Sequence, residues 1–141
     1  MDERGLAEFL AGKMALAMTS LALLGLVISF GSTVQRQGER EDLASVKQAI
    51  FHSIETADPL PGEVKLIQDL PRISADFRVI AVGSWSGKTQ LVTLTLESGD
   101  SRTSGVISLN CPVNGGNFEI LYQNPAQVQV TKNGEILLEL V

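Results

Sequence analysis

Twenty-two consecutive residues without a charge, Met14–Gln35, constrain this 141-residue chain more than anything else in it. At about 1.5 Å per residue, a helix over 14–30 extends roughly 26 Å, and continuing it to Val34 reaches the ~30 Å of a bilayer core. No proline interrupts LAEFLAGKMALAMTSLALLGLVISFGSTVQ, so residues 6–35 read as one helix, apolar on every side. Gly12, Gly25 and Gly31 would each cost about 1 kcal/mol relative to alanine in water. In a membrane, small residues instead let neighbouring helices approach closely. Gly12 and Gly25 are too far apart for a GxxxG motif, so the sequence dictates no dimer geometry.

The link that follows, Arg36–Asp42, is polar and helix-compatible except at Gly38. Beyond it Leu43, Val46, Ile50, Phe51, Ile54 and Ala57 recur at helical spacing, with Lys47, Gln48, His52 and Glu55 between them. That pattern predicts an amphipathic helix over 36–58, continuous with the first and able to bend at Gly38. Asp58-Pro59-Leu60-Pro61-Gly62 stops it. From residue 63 to 141 the hydrophobic period becomes two. Short β-rich runs fall at 64–67, 77–82, 90–96, 105–109, 118–122, 127–131 and 135–140, separated by turn signals. Asn133-Gly134 predicts a type I′ hairpin. The expected fold is α+β: a long N-terminal helix, hydrophobic then amphipathic, followed by a small antiparallel β-sandwich-like domain.

Composition excludes several functions. A net charge of −5, one tryptophan and one tyrosine argue against a nucleic-acid partner. A single cysteine, Cys111, allows no intrachain disulfide and no multi-cysteine metal site; it reads as a small hydrophobe near a strand end, with an interchain disulfide as the other option. Gly83-Ser84-Trp85-Ser86-Gly87-Lys88-Thr89 resembles a phosphate loop but has three residues between its glycines, not four, and a strand after it. His52, the only histidine, lies on the polar side of its helix. Glu97, Asp100 and Arg102 crowd a turn without calcium-loop spacing. No nucleophile, base and oxyanion hole come together, so the expectation is no catalytic residues, no metal, no cofactor and no small-molecule substrate.

Two charges stand out because burial makes them expensive: Glu8 and Lys13, at the start of the apolar helix. Either both sit at the membrane interface, where water and headgroups reach them, or another subunit satisfies them when helices bundle. Five residues apart, they point about 140° from each other and pair poorly on one helix.

With Asp2-Glu3-Arg4-Gly5 running directly into a hydrophobic helix, the chain resembles the archaeal type IV pilin and archaellin superfamily. The resemblance implies a leader peptide over residues 1–5, a class III signal peptide that a prepilin-type peptidase removes on the cytoplasmic side. Arg4 and Gly5 would be read by that enzyme and Leu6 would become the new N-terminus. It further implies a single-pass membrane protein with an extracellular C-terminal domain. Its helix would pack with copies of itself into a cell-surface filament with the help of pilus assembly machinery. Glu8 would be third in the mature chain, where bacterial pilins carry a glutamate fifth. Two other readings stay open. One is a single-pass anchored β-domain protein that binds an envelope or archaellum-machinery partner. The other is a secreted protein cut after Gly31, which the acidic character of Asp2, Glu3 and Glu8 disfavours. Basic residues lie on both sides of the helix (Arg4 and Lys13 before it; Arg36, Arg40 and Lys47 after it), and a long following domain translocates regardless of charge.

Overall fold

The computed structural model describes residues 2–141; Met1, part of the expected leader, lies outside them. Helix α1 spans Glu3–Ala57, and seven strands follow. These are β1 (Val64–Asp69), β2 (Arg78–Ser86), β3 (Thr89–Ser98), β4 (Ser101–Leu109), β5 (Phe118–Gln123), β6 (Gln127–Asn133) and β7 (Glu135–Leu140). The fold is α+β, a long helix followed by two antiparallel sheets. Gly38 does not interrupt α1, and the helix begins at Glu3, so Arg4 and Gly5 lie in its first turn. The chain forms two compact units, 1–37 and 38–141.

In the second unit the strands order as β1-β6-β7 in one sheet and β4-β3-β2-β5 in the other. Period-two alternation sets which residues face inward. Val79, Ala81, Val92, Leu94 and Leu96 come from the larger sheet, and Val128, Val130, Ile136, Leu138 and Leu140 from the smaller. The predicted helical stripe joins them: Leu43, Val46, Ile50, Ile54 and Ala57 are buried in the same core. Phe51 is only half-buried because it packs on the edge strand β4. A Cβ on Gly105 would sit 2.8 Å from its ring, so glycine is what lets the helix approach β4 this closely.

The β6–β7 hairpin forms, but not with the expected type I′ turn. Lys132 pairs with Ile136, and Gly134 has a positive φ while Asn133 does not. The turn instead holds a single left-handed residue, Gly134, between Asn133 and Glu135, which stand opposite each other. Register set by Val128, Val130, Ile136 and Leu138 facing the core overrides the preference of the Asn-Gly pair. The glycine-rich segment 83–89 is the β2–β3 hairpin. Its turn carries positive φ at Gly87, with Ser86 opposite Thr89.

Candidate membrane and assembly surface

From Leu6 to Val34, fourteen large apolar side chains lie exposed, from 49% at Leu6 to 71% at Met18. With about 100° between successive residues, Leu21, Leu23, Leu24 and Leu26 alone point around the whole circumference. No face of this stretch is covered by its own chain. At about 1.5–3 kcal/mol for each such side chain, moving the set from water to an apolar medium is worth tens of kcal/mol. The helix is long and apolar enough to span a membrane. Its hydroxyls suit that medium: Thr19 donates to Ala15 O at 2.8 Å, Ser20 to Leu16 O at 2.9 Å, and Thr33 to Ser29 O at 2.9 Å. Each of these hydroxyls is thereby satisfied within its own helix, as hydrocarbon requires.

The charges singled out in the sequence take up different environments. Glu8 and Lys13 are both exposed and do not pair with each other. Lys13 instead places its ammonium 4.6 Å from the centre of the Phe9 ring, a cation–π contact one helical turn away. The sequence held the signal, since Phe9 and Lys13 stand at i,i+4. Arg4, Gly5 and Leu6 lie in the first turns, where the Leu6 amide donates to Asp2 O at 3.2 Å. The Gly5–Leu6 bond, where the resemblance places cleavage, therefore lies inside the helix.

In the second unit, the polar side chains with the most demanding roles are ones that periodicity alone did not bring forward. Gln90 is 1% exposed. Its Nε2 donates to Val113 O at 3.0 Å and to Gly116 O at 2.6 Å, and its Oε1 accepts from Val113 N. Lys132, also buried, donates to Asp58 O and Leu60 O, both at 2.6 Å, supplying from β6 the cation that the last turn of α1 lacks. The Asp58 carboxylate accepts from Asn110 N at 3.2 Å and Cys111 N at 2.9 Å. Cys111 is a free, half-buried thiol. Both Gln90 and Lys132 stand on the inward parity of their strands, and a polar residue at such a position is the signal that could have found them.

The crowded turn holds ion pairs: Glu97 meets Arg78 at 2.5 Å and Arg102 at 3.5 Å. Among the described residues, no group of three or more His, Cys, Asp or Glu is placed to hold a metal ion. His52 is exposed. An open groove of about 730 Å³ runs between residues 69–77 and 124–127. Two of its carboxylates are engaged, Asp69 by Gln127 at 2.8 Å and Asp76 by Asn124 at 3.1 Å.

Fold and surface together define a class: an α+β chain whose two-sheet domain follows a bare apolar helix of membrane-spanning length. No protein-family model, no curated protein and no solved structure matches it.

Proposed function

We propose that this chain is a membrane-inserted structural subunit of a pilus-like surface filament of the archaeal type IV kind. Its N-terminal helix holds it in the bilayer until it packs with copies of itself. One observation carries the reading: fourteen large apolar side chains on all sides of 6–34 are exposed, while the core of the β domain is complete from Leu43 onward. Nothing in the chain needs that surface for folding, so its cover comes from lipid or from sibling helices. The charged run Asp2-Glu3-Arg4-Gly5 ahead of it supports the filament branch through the resemblance described above. On this reading Arg4 and Gly5 direct leader removal, Leu6 starts the mature chain, and Glu8 and Lys13 find partners on neighbouring helices.

A second reading is favoured by Lys13. Its ammonium already has a partner in Phe9 of the same helix, as in a helix that only anchors. Two measurements separate the readings. N-terminal peptide mapping of protein from native membranes or shed surface material should give a start at Leu6 for the filament subunit; a start at Met1 supports the anchored module, and one at Ser32 a secreted protein. In a Cys111→Ser background, single cysteines placed along 14–30 should give copy-to-copy disulfides on a defined face if helices bundle. A uniform absence of cross-links in membranes would sink the filament reading.

A further inference from the structure

Open sheets leave N–H and C=O groups unpaired along their outer strands. Here those strands are β1 and β7 in the smaller sheet, β4 and β5 in the larger. Three of the edges are covered or blunted. Lys47 of α1 donates to Ser104 O on β4, and Phe51 packs against Gly105 of the same strand. Ser53 of α1 donates to the Gln68 side chain of β1 at 2.7 Å, and β1 also carries the charges of Lys65 and Asp69. The segment 112–114 engages the backbone of Ile136 and Leu138 on β7. No described residue does the same for β5. Asn124 N donates to Phe77 O, so by the alternation of an antiparallel ladder Tyr122, Ile120 and Phe118 bond to Val79, Ala81 and Gly83 of β2. The backbone groups of Glu119, Leu121 and Gln123 therefore point away from the sheet. The register with β2 is unbroken by a bulge, and Phe118–Gln123 holds no proline or lysine to guard the edge. Leu121, at its middle, is 56% exposed.

We propose that this edge pairs with β5 of a second copy of the chain, antiparallel, about a two-fold axis at Leu121. An open ladder takes a strand, because only backbone matches its alternating donors and acceptors. The residues themselves point to the chain's own copy. Glu119, Leu121 and Gln123 map onto one another under a two-fold only when Leu121 lies opposite itself, and every outward N–H and C=O of both copies is then bonded. Leucine meets leucine at the centre, and the Glu119 carboxylate meets the Gln123 amide of the second copy at both flanks. Centring the pair on Glu119 would set two carboxylates face to face. Centring it on Gln123 would bring in Pro125, which has no N–H to give. The pair also has a direction. From Glu39 beside Ser101 to Asp58 beside Asn110, α1 runs the same way as β4 and so against β5. Two domains joined at β5 therefore receive their helices from opposite ends. This contact is distinct from the side-by-side packing of apolar helices and does not depend on it.

Cross-linking tests the pair and its register. The full chain, in detergent with micelles in excess over protein, carries a single cysteine in a Cys111→Ser background and is treated with a short bis-maleimide. Leu121→Cys should give a covalent dimer whose yield rises with protein concentration, since opposed residues of such a pair stand about 5.5 Å apart at Cα. Val106→Cys, exposed on the same sheet face but on β4, should give little. Within the Leu121→Cys chain, Gln123→Glu sets a carboxylate opposite Glu119 at both flanks and should lower the yield about fivefold. Adding Glu119→Lys should restore it. Sedimentation of the Cys111→Ser chain with and without Gln123→Glu reads the same loss if the Leu121 variant fails to fold by circular dichroism. Equal linking at Leu121 and Val106, no dimer by either method, or association indifferent to the charge changes overturns the proposal. A Leu121 link in a chain whose helices give no cross-links along 14–30 supports it, and counts against the filament reading alone.

Discussion

Gln90 carries more than its share of the β domain's stability. Replacing it with leucine leaves Val113 N and Gly116 O buried without their partner, while Val113 O keeps the Gly116 amide. Each group so orphaned costs about 1–3 kcal/mol, so a loss of ~2–5 kcal/mol is expected, read as a lower urea midpoint at unchanged slope. Tyr122 gives a pH signature. Burial raises its phenol above the ordinary 10.0, and the Glu139 carboxylate pushes the same way. Folding therefore favours the neutral phenol. That contribution is complete below about pH 10 and is lost as pH rises through the higher folded value. Tyr122→Phe should unfold less steeply with pH than the parent above pH 10, and be indistinguishable in slope at pH 7. Equal slopes in that alkaline range would mean the phenol is not the titrating group.

At the scale of elements, the helical stripe from Leu43 to Ala57 and the alternation of the strands were legible in the sequence because each follows one period. What was not legible is where elements touch. Gly105 looks like a weak point in a strand, yet it makes room for Phe51, fifty-four residues away. Gly105→Val should destabilise the domain by about 1–3 kcal/mol through overpacking, and combining it with Phe51→Ala should recover part of that loss. A cycle in which the two effects simply add would refute the contact. The Asn133-Gly134 turn departs from type I′ for a related reason: local turn chemistry yields to the register demanded by the core. In the same way the roles of Gln90 and Lys132 are not legible in the sequence, because periodicity marks a position as inward but does not name the partner waiting there. Strand edges follow the same logic. Asn114 takes up the backbone of Leu138 on the open side of β7 with its side-chain amide, donating to its carbonyl at 3.4 Å and accepting from its amide at 2.9 Å. Lys47 donates to Ser104 O of β4 at 3.2 Å. Both contacts blunt edges that would otherwise invite another strand.

For the whole molecule, the division of the chain predicts separable behaviour. Every core residue lies between Leu43 and Leu140, so the fragment 38–141 should be soluble without detergent and unfold cooperatively. The full chain should require detergent or lipid. A fragment that aggregates or shows no cooperative transition would mean the first thirty-seven residues contribute to folding. Of the candidate surface, the apolar helix is plain from the absence of charge alone, whereas the i,i+4 spacing of Phe9 and Lys13 allows their contact without fixing the rotamers that make it.

The two sheets share no strand. The loop between β4 and β5 fastens them instead: it belongs to the larger sheet, takes up the Ile136 backbone of β7 through Pro112 and Asn114, and meets Asp58 at the end of α1. With the Lys132 ammonium of β6 also holding Asp58 O and Leu60 O, a domain tugged by its helix would pass load into both sheets at once. The bonds there lie side by side and must fail together rather than one after another. Pulled between the helix and the C-terminus, the parent should yield in one abrupt event, and Asn114→Ala with Asp58→Ala should peel open in steps at lower force. Toughness of that kind would serve any domain whose helix is held fast while its other end is pulled.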